Sequence, residues 1–404
     1  MSFMGRIFGS PRDRFGRHIL ARVRAFEGVD AAEYDPDSYE ITYRCGSALA
    51  TLSLDILFRR FDGEIGPELE QAVSELLEPV AAGLSPDSWE YAEPRLRPVL
   101  RQAGPARVGL GEFQGQDVVL GRPAVPYLNE MVVVDMPTTI RFVTIFDLRR
   151  WEVDVDQVFA TAHGNLTELA MNTMAVFEPS ERTQVLEYPD DDGDTYVGSL
   201  PLIPGWLAGA GARTGAQALV FLNGHLGMFI TIGATDELVN SLLAVADQRY
   251  DDALRPLSPL PYTVDDDGAL VPYRVPRNHP VWPALRHAEA KLAVAVYGPQ
   301  TEMLRADAEV EAVASALLHV RGPNGIEHTM TPWPAGAPAL LPKADFIVFV
   351  NDDGETLRLA WEDVGEYVDL PLAPGFDPPR YLVPGHPADA VMARLRTLAA
   401  LTDD

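Results

Sequence analysis

Two rare kinds of side chain, lysine and tryptophan, lie close together near the end of this sequence. Lys343 and Asp345 stand just before a predicted buried strand, and Trp333 and Trp361 lie on either side of them. A lysine–carboxylate pair beside two aromatic rings could form a small ligand-binding pocket. The same four residues could instead form a structural ion pair with tryptophans in the core. The sequence therefore gives four candidate ligand-binding residues, with both interpretations open.

The eight histidines are scattered along the chain, and none has the spacing of a metal-binding motif. His163 is predicted to lie on a helix, and His225 follows a predicted strand. Each is a candidate ligand-binding residue of a site that the fold would have to assemble. No pattern in the sequence identifies a catalytic residue, and neither a cofactor nor a bound metal is predicted.

Three acidic turns invite comparison with calcium loops, at residues 190–194, 265–268 and 351–354. A calcium loop that began at residue 190 would need glycine at its sixth position and glutamate at its twelfth. The sequence has Thr195 and Pro201 there. Because aspartate followed by glycine is typical of tight hairpin turns, the three segments are predicted to be turns.

Nucleotide and hydrolase motifs are also incomplete. Residues 109–115 and 209–215 each read Gly-x-Gly-x-x-x-Gly, which misses the dinucleotide-binding pattern by one residue. Both are predicted to be loops. Neither lysine follows a phosphate-binding glycine loop, and the serine of Gly198-Ser199 lacks the second glycine of a hydrolase elbow.

Cysteine content and hydropathy indicate a cytoplasmic protein. Cys45 is the single cysteine, so an intramolecular disulfide is impossible, and we expect it to be buried and inert. The longest apolar runs fall far short of the roughly 20 residues that span a bilayer. Arginines interrupt the apolar residues of the N-terminus, so no signal peptide is predicted.

The charge balance restricts the partners. The formal net charge is −27, with 59 acidic against 32 basic residues, which disfavours nucleic acid. Residues 1–26 differ, since they contain six arginines and one acid. Residues 15–26 have the spacing of an amphipathic helix. This helix could pack on the acidic body of the protein itself, or it could touch an anionic surface such as a membrane.

The order of predicted elements indicates an α+β fold with two domains, each a mixed or antiparallel sheet with packed helices. The proline-rich residues 254–262 read as a linker, which places the domains at 1–255 and 256–404. Helices are predicted after Asp154 and Thr235, which are good N-cap residues. A hairpin is predicted over 346–361, with Asp353-Gly354 in its turn.

Several segments of the first part resemble the uncharacterised YtpQ-like family of bacterial proteins. They are Asn-Glu-Met-Val-Val-Val-Asp at 129–135, the run from arginine to tryptophan at 141–151, Ala-His-Gly-Asn-Leu-Thr-Glu-Leu at 162–169 and Tyr-Val-Gly-Ser at 196–199. The chain departs from the family pattern at 222–225. The resemblance covers residues 1–255 and implies a bacterial cytoplasmic α+β domain. Because the function of that family is unknown, it implies no catalytic residue.

Two functions remain in view. The first is a non-enzymatic binding, adaptor or regulatory protein whose acidic surface engages another protein. Charge complementarity favours a basic partner. The second is an enzyme with a composite site between the domains, built from His163, His225 or the Lys343–Asp345 pair. A cleft that collects these groups would favour the enzyme, and an acidic face with an apolar centre would favour the adaptor.

Overall fold

The structure is a computed structural model, and its fold is α+β. It describes residues 10–36, 39–45, 48–81, 88–104, 108–109, 118–136, 139–177, 183–189, 196–224, 227–253, 255–322, 325–351 and 353–402. No helix in these ranges is long and apolar enough to cross a bilayer. The acidic turn predicted at 190–194 and most of the glycine segment at 109–115 lie outside them.

The α-helices of the described residues are α1 (Pro11–Ala25), α2 (Leu54–Arg60), α3 (Pro67–Ala81), α4 (Trp89–Ala92), α5 (Ile145–Trp151), α6 (Val155–Gly164), α7 (Thr167–Met174), α8 (Trp206–Thr214), α9 (Asp236–Asp252), α10 (Trp282–Ala306), α11 (Trp361–Gly365) and α12 (Asp389–Thr402). Short 3-10 helices cover Glu93–Arg95 and Val197–Leu202.

The strands of the same residues are β1 (Ala31–Asp35), β2 (Glu40–Cys45), β3 (Ala48–Ser53), β4 (Leu96–Gln102), β5 (Val108–Gly109), β6 (Val119–Val125), β7 (Leu128–Met136), β8 (Thr139–Phe142), β9 (Gln184–Pro189), β10 (Ala218–Gly224), β11 (Gly227–Ile232), β12 (Pro261–Val264), β13 (Leu270–Pro272), β14 (Val313–Ala314), β15 (Leu318–Arg321), β16 (Glu327–Pro334), β17 (Ala339–Pro342), β18 (Phe346–Val350), β19 (Thr356–Ala360), β20 (Leu372–Ala373) and β21 (Arg380–Val383).

The chain divides into two compact units. The first unit contains residues 1–98, 110–120 and 132–165, and the second contains 99–109, 121–131 and 166–404. The predicted linker at 254–262 falls inside the second unit. The domain boundary at residue 255 stays a prediction.

In the first unit, the basic helix α1 packs on the antiparallel sheet β1–β2–β3 and on α3. Ser10 caps the helix by accepting from the backbone N–H of Asp13. Phe15, Ile19 and Val23 recur at helical spacing and are buried in the core of the unit. The apolar face of the predicted amphipathic helix is therefore covered by its own chain. Contact of its arginines with an anionic surface stays a prediction.

A second core of the first unit forms around β8, α5 and α6. Thr144 and Asp147 make a capping box at the start of α5, and Arg141 donates to the buried carboxylate of Asp147 at 2.8 Å. Asp154 caps α6 as predicted, since its side chain accepts from the N–H of Gln157 at 2.7 Å. Two short helices are thus fixed by local polar contacts.

The second unit begins with an antiparallel sheet in the order β13-β12-β10-β11-β9, packed against α8 and α9. The segment predicted as a linker is part of this layer. The N–H groups of Leu257 and Ser258 donate to the carbonyls of Asn223 and Leu222, and β12 begins at Pro261. Ser258 is fully buried. Pro261 is the first residue of β12, where a missing N–H is tolerated, and the residues before it are hydrogen-bonded to β10 and do not form a free connection.

The second glycine segment is a helix and not a loop. Gly209 and Gly211 lie within α8, and the backbone of Gly211 packs against Ala216 and Ala218. A Cβ on Gly211 would lie 2.9 Å from the carbonyl oxygen of Ala216, so close packing explains the glycine there. Gly215 takes a φ of +68° and ends the helix.

The C-terminal part of the second unit contains two mixed sheets, in the orders β15-β16-β18-β19 and β14-β17-β21-β20. The hairpin predicted over 346–361 is confirmed, with Phe346 opposite Ala360 and Val350 opposite Thr356. Gly354 takes a φ of +80° in its turn. The turn predicted at 265–268 also joins two strands, β12 and β13.

Helix α10 connects the two cores of the second unit. Leu285, Ala288, Leu292 and Val296 face the core around β10 and β11. Tyr297 belongs to the core around Trp333 and the C-terminal sheets. Because these positions recur every three or four residues, one long helix supplies both cores.

Arg380 on β21 is buried in the second unit with 0% of its surface exposed. Its guanidinium donates to the carbonyls of Ser315 and Leu340 at 2.9 Å and to the side chains of Gln300 and Thr301 on α10. Burial lowers the pKa of this guanidinium to about 10, so it remains charged at neutral pH. One side chain thus joins a helix, two strands and a loop.

Replacing Arg380 should therefore destabilise the protein strongly. We expect Arg380→Met to lower the free energy of unfolding by about 3 kcal/mol or more, because several buried acceptors lose their donor. Urea unfolding followed by far-UV circular dichroism would measure this. Arg394→Met is the control, since Arg394 is exposed on α12 and the same change there should have an effect within about 0.5 kcal/mol. Equal midpoints for the two variants would contradict this role of Arg380.

Cys45 is buried in the first unit, as expected from the sequence. Burial, with a smaller contribution from the charge of Asp30, raises the pKa of its thiol above the ordinary value. Since only the thiolate reacts, we expect iodoacetamide to alkylate the native protein at pH 8 on the order of tenfold more slowly than the protein in urea. The native rate should keep rising with pH beyond about 8.5. A native rate that levels off below pH 8 would show a reactive thiol instead.

Candidate functional site

The two tryptophans singled out in the sequence belong to the core of the second unit. Trp333 is fully buried on β16, stacks on Phe349 at 5.1 Å and donates its indole N–H to the carbonyl of Pro384 at 2.9 Å. Trp361 begins α11 and packs edge-on against Tyr381 at 4.8 Å. The buried indole N–H of Trp333 thus has a partner, as expected for a core aromatic.

Lys343 and Asp345 do not form the ion pair predicted from the sequence. The Lys343 Nζ atom lies 3.4 Å from Glu362 Oε1 and 4.5 Å from the centre of the Trp361 ring. Both residues lie in the connection between β17 and β18, outside any strand, and they contact different neighbours, Glu362 and Arg286. The lysine is 41% exposed, so its pairing with Glu362 contributes little to stability.

Asp345 instead pairs with an arginine from α10. Its Oδ2 atom accepts from Arg286, from the backbone N–H of Thr329 at 2.6 Å and from the Thr329 hydroxyl at 3.0 Å. Arg286 is 12% exposed and also donates to Glu289 at 2.7 Å and to the carbonyl of Glu327. The network ties α10 to β16 and to the start of β18. Its charged groups find their partners within the second unit.

Of the two histidines named as candidates, His163 lies in the part of the chain that the structure describes. His163 lies in the last turn of α6, in the first unit, and is half-buried. Trp333, Lys343, Asp345 and Trp361 all belong to the second unit. His225 lies outside the described residues.

An acidic stretch with exposed apolar side chains follows Trp361, and we call residues 362–372 the acidic segment. It contains four carboxylates, at Glu362, Asp363, Glu366 and Asp369, and no basic residue. Among them stand Tyr367, with 42% of its surface exposed, and Leu372, with 63% exposed. The segment therefore presents negative charge around two exposed apolar side chains.

A cavity of about 210 Å³ lies beside the first turns of α10. Its walls include Tyr273, Trp282 and Leu285, with the paired side chains of Arg286 and Glu289 at one side. None of the five predicted site residues that the structure describes lines it. Arg274 also lines the cavity, so its wall combines charged and apolar side chains.

His287, His319 and Glu327 form a further cluster of polar side chains, which was not predicted from the sequence. The Glu327 Oε2 atom lies 2.6 Å from His287 Nδ1 and 2.6 Å from His319 Nε2. Burial raises the pKa of Glu327, but the hydrogen bonds and charges of the two histidines outweigh it, and the pKa lies below its ordinary value. The carboxylate is therefore ionised at neutral pH.

Part of this group has a signal in the sequence. Strands β15 and β16 pair so that His319 is opposite Thr329, two residues from Glu327. Residues two apart on one strand share a face, so the hairpin register alone brings His319 and Glu327 diagonally together. His287 comes from α10, and nothing local connects it to the hairpin.

No family model, curated protein or solved structure matches the chain. The resemblance to the YtpQ-like family stays a prediction from the segments quoted above, and the sites are interpreted from their own geometry.

Double-mutant cycles can separate the observed pair from the predicted one. We expect Arg286→Met and Asp345→Ala to be coupled by about 1 kcal/mol or more in unfolding free energy, because each leaves the other charge without its partner. Lys343→Met and Asp345→Ala should be additive within about 0.5 kcal/mol, since they share no contact. Urea unfolding of the three single and two double variants would measure both. Coupling confined to the Lys343 cycle would contradict the network described here.

Proposed function

We propose that this chain is a non-enzymatic binding or adaptor protein that engages a basic segment of another protein through the acidic segment. The observation that carries the proposal is the position of Tyr367 and Leu372, exposed apolar side chains among four carboxylates. Protein interfaces combine an apolar centre with a polar rim, and opposite charge selects the partner.

The whole-chain charge supports a basic partner. A net charge of −27 attracts a cationic protein from a distance and speeds its association, and it disfavours nucleic acid. Lys343 lies at the edge of the segment and partly neutralises Glu362, so the free negative charge is concentrated around Glu366 and Asp369. We expect these two carboxylates to provide most of the electrostatic attraction.

The setting we propose for this activity is the cytoplasm of a bacterium. A single, buried cysteine supports a reducing compartment, and the arginine-rich, lysine-poor composition supports a genome of high GC content. The alternative of an enzyme with a composite site receives less support, because Lys343 and Asp345 each bind a different neighbour.

Charge removal in the segment tests the proposal. The variant Glu366→Gln/Asp369→Asn removes two charges, and Tyr367→Ser removes an apolar contact. The tagged full chain would capture proteins from its host, and the captured basic protein would then be purified and titrated against each variant. At physiological salt we expect each variant to weaken its binding about tenfold or more, because central interface residues carry most of the binding energy.

The matched control is Glu68→Gln/Glu78→Gln, which removes two exposed charges from α3 in the first unit. It should lower the association rate slightly and leave the dissociation rate unchanged. If both double variants weakened the binding of the basic protein equally, net charge alone would explain the effect. That result would contradict a role for the acidic segment. A bound metabolite recovered with a monomeric chain would favour the enzyme instead.

A further inference from the structure

The group formed by His287, His319 and Glu327 has the composition and the spacing of a metal-ligand set. Each residue offers one ligand atom, and the three atoms lie within 4.8 Å of one another. Two imidazole nitrogens and a carboxylate oxygen are ligands that Zn²⁺ binds at about 2.0–2.2 Å. Two ligands at about 2.1 Å from a tetrahedral ion lie roughly 3.4 Å apart, so the two 2.6 Å contacts of Glu327 would have to open by about 1 Å for one ion to enter between the three side chains.

The elements that carry the three ligands are held firmly. His287 lies in the second turn of α10, where its neighbours Leu285 and Ala288 are buried in the core. His319 and Glu327 lie on the paired strands β15 and β16. Arg286 donates to the backbone carbonyl of Glu327 at 3.2 Å, which fixes the hairpin against the helix. Ligands on rigid helices and strands are held in place before an ion arrives.

The surroundings of His287 have the arrangement that supports a metal-binding imidazole. Its Nδ1 atom faces Glu327, and its Nε2 atom lies 3.3 Å from Asp247 Oδ1 on α9. Metal-bound histidines generally donate their second ring N–H to a carboxylate, which fixes the ring orientation. Lys291 in turn holds Asp247 at 2.6 Å. The Asp247 carboxylate therefore contacts the ring nitrogen that faces away from Glu327, and it leaves the Nδ1 atom available for an ion.

The group is also accessible. The side chains of His287, His319 and Glu327 are 38%, 28% and 16% exposed. Three protein ligands at a partly exposed site leave a fourth position for water or another ligand, as in zinc sites that are not purely structural.

We propose that His287, His319 and Glu327 bind one divalent transition metal ion, with Zn²⁺ the best match to two imidazoles and a carboxylate, and that Asp247 orients His287. The site is separate from the acidic segment and does not depend on it. The competing interpretation is a hydrogen-bonded group, in which both histidines contact one carboxylate and no ion binds.

Zinc titration of the full chain distinguishes the two interpretations. Protein treated with a chelator and dialysed would be titrated with Zn²⁺ in a calorimeter, and Co²⁺ would be added separately as a spectroscopic probe. We expect about one Zn²⁺ per chain, a rise in Tm on zinc addition, and visible Co²⁺ absorption with the intensity of a four- or five-coordinate ion. Absence of a saturable site in the wild type would overturn the proposal.

Variants locate the ion. His319→Ala and Glu327→Gln should remove the saturable site and the Tm rise, while Asp247→Asn should keep the site with an affinity about 10- to 100-fold lower. His319 is the safest position, because its side chain lies on an edge strand; circular dichroism and the Tm without zinc would confirm folding. His319→Gln is the second variant if alanine disturbs the hairpin.

The matched control is His18→Ala in the first unit. His18 also contacts a glutamate, Glu70, at 2.6 Å, and its variant removes a comparable histidine–carboxylate pair. Zinc affinity should be unchanged by this substitution. Equal losses for His18→Ala and His319→Ala, or a site that survives His319→Ala and Glu327→Gln, would place the ion elsewhere and overturn the assignment.

Discussion

Burial of charge is the constraint on which the second unit depends. A guanidinium out of water is tolerated only when its N–H groups are met by acceptors. Arg380 satisfies this requirement with neutral oxygens from α10, β17 and a loop. These hydrogen bonds fix the positions of the three elements relative to one another. Arg286 does the same with carboxylates, joining α10 to β16 and β18. Two arginines thereby fix the helix that also carries His287.

The sequence was most informative where structure is local. Asp154 and Thr235 were predicted as helix caps, and both side chains accept from a backbone N–H in the first turn. The hairpin over 346–361 followed from alternating residues and an Asp-Gly turn, and its register is regular. In each case the interaction that decides the structure joins residues only a few positions apart. It can therefore be predicted from the sequence without knowledge of the rest of the fold.

Where distant residues decide the structure, the sequence predicted poorly. The carboxylate of Asp345 was paired with Lys343, two positions away, but its partner is Arg286, 59 positions away. The prolines at 256, 259 and 261 indicated a linker, but the segment pairs with β10 through Leu257 and Ser258. Gly209 and Gly211 indicated a loop, although close packing in α8 explains Gly211. The neighbouring residues in the sequence do not indicate which distant residue each of them contacts.

The acidic segment is held in place at both of its ends, which suits the binding role proposed for it. Buried Trp361 and Val364 anchor its beginning, and the N–H groups of Tyr367 and Val368 both donate to the carbonyl of Val364. Its end joins β20, and the N–H of Leu382 donates to the carbonyl of Pro371. A surface held at both ends loses little conformational freedom when a partner binds. Even a few exposed apolar and charged groups can then give specific binding, because less of their interaction energy is spent on ordering the chain.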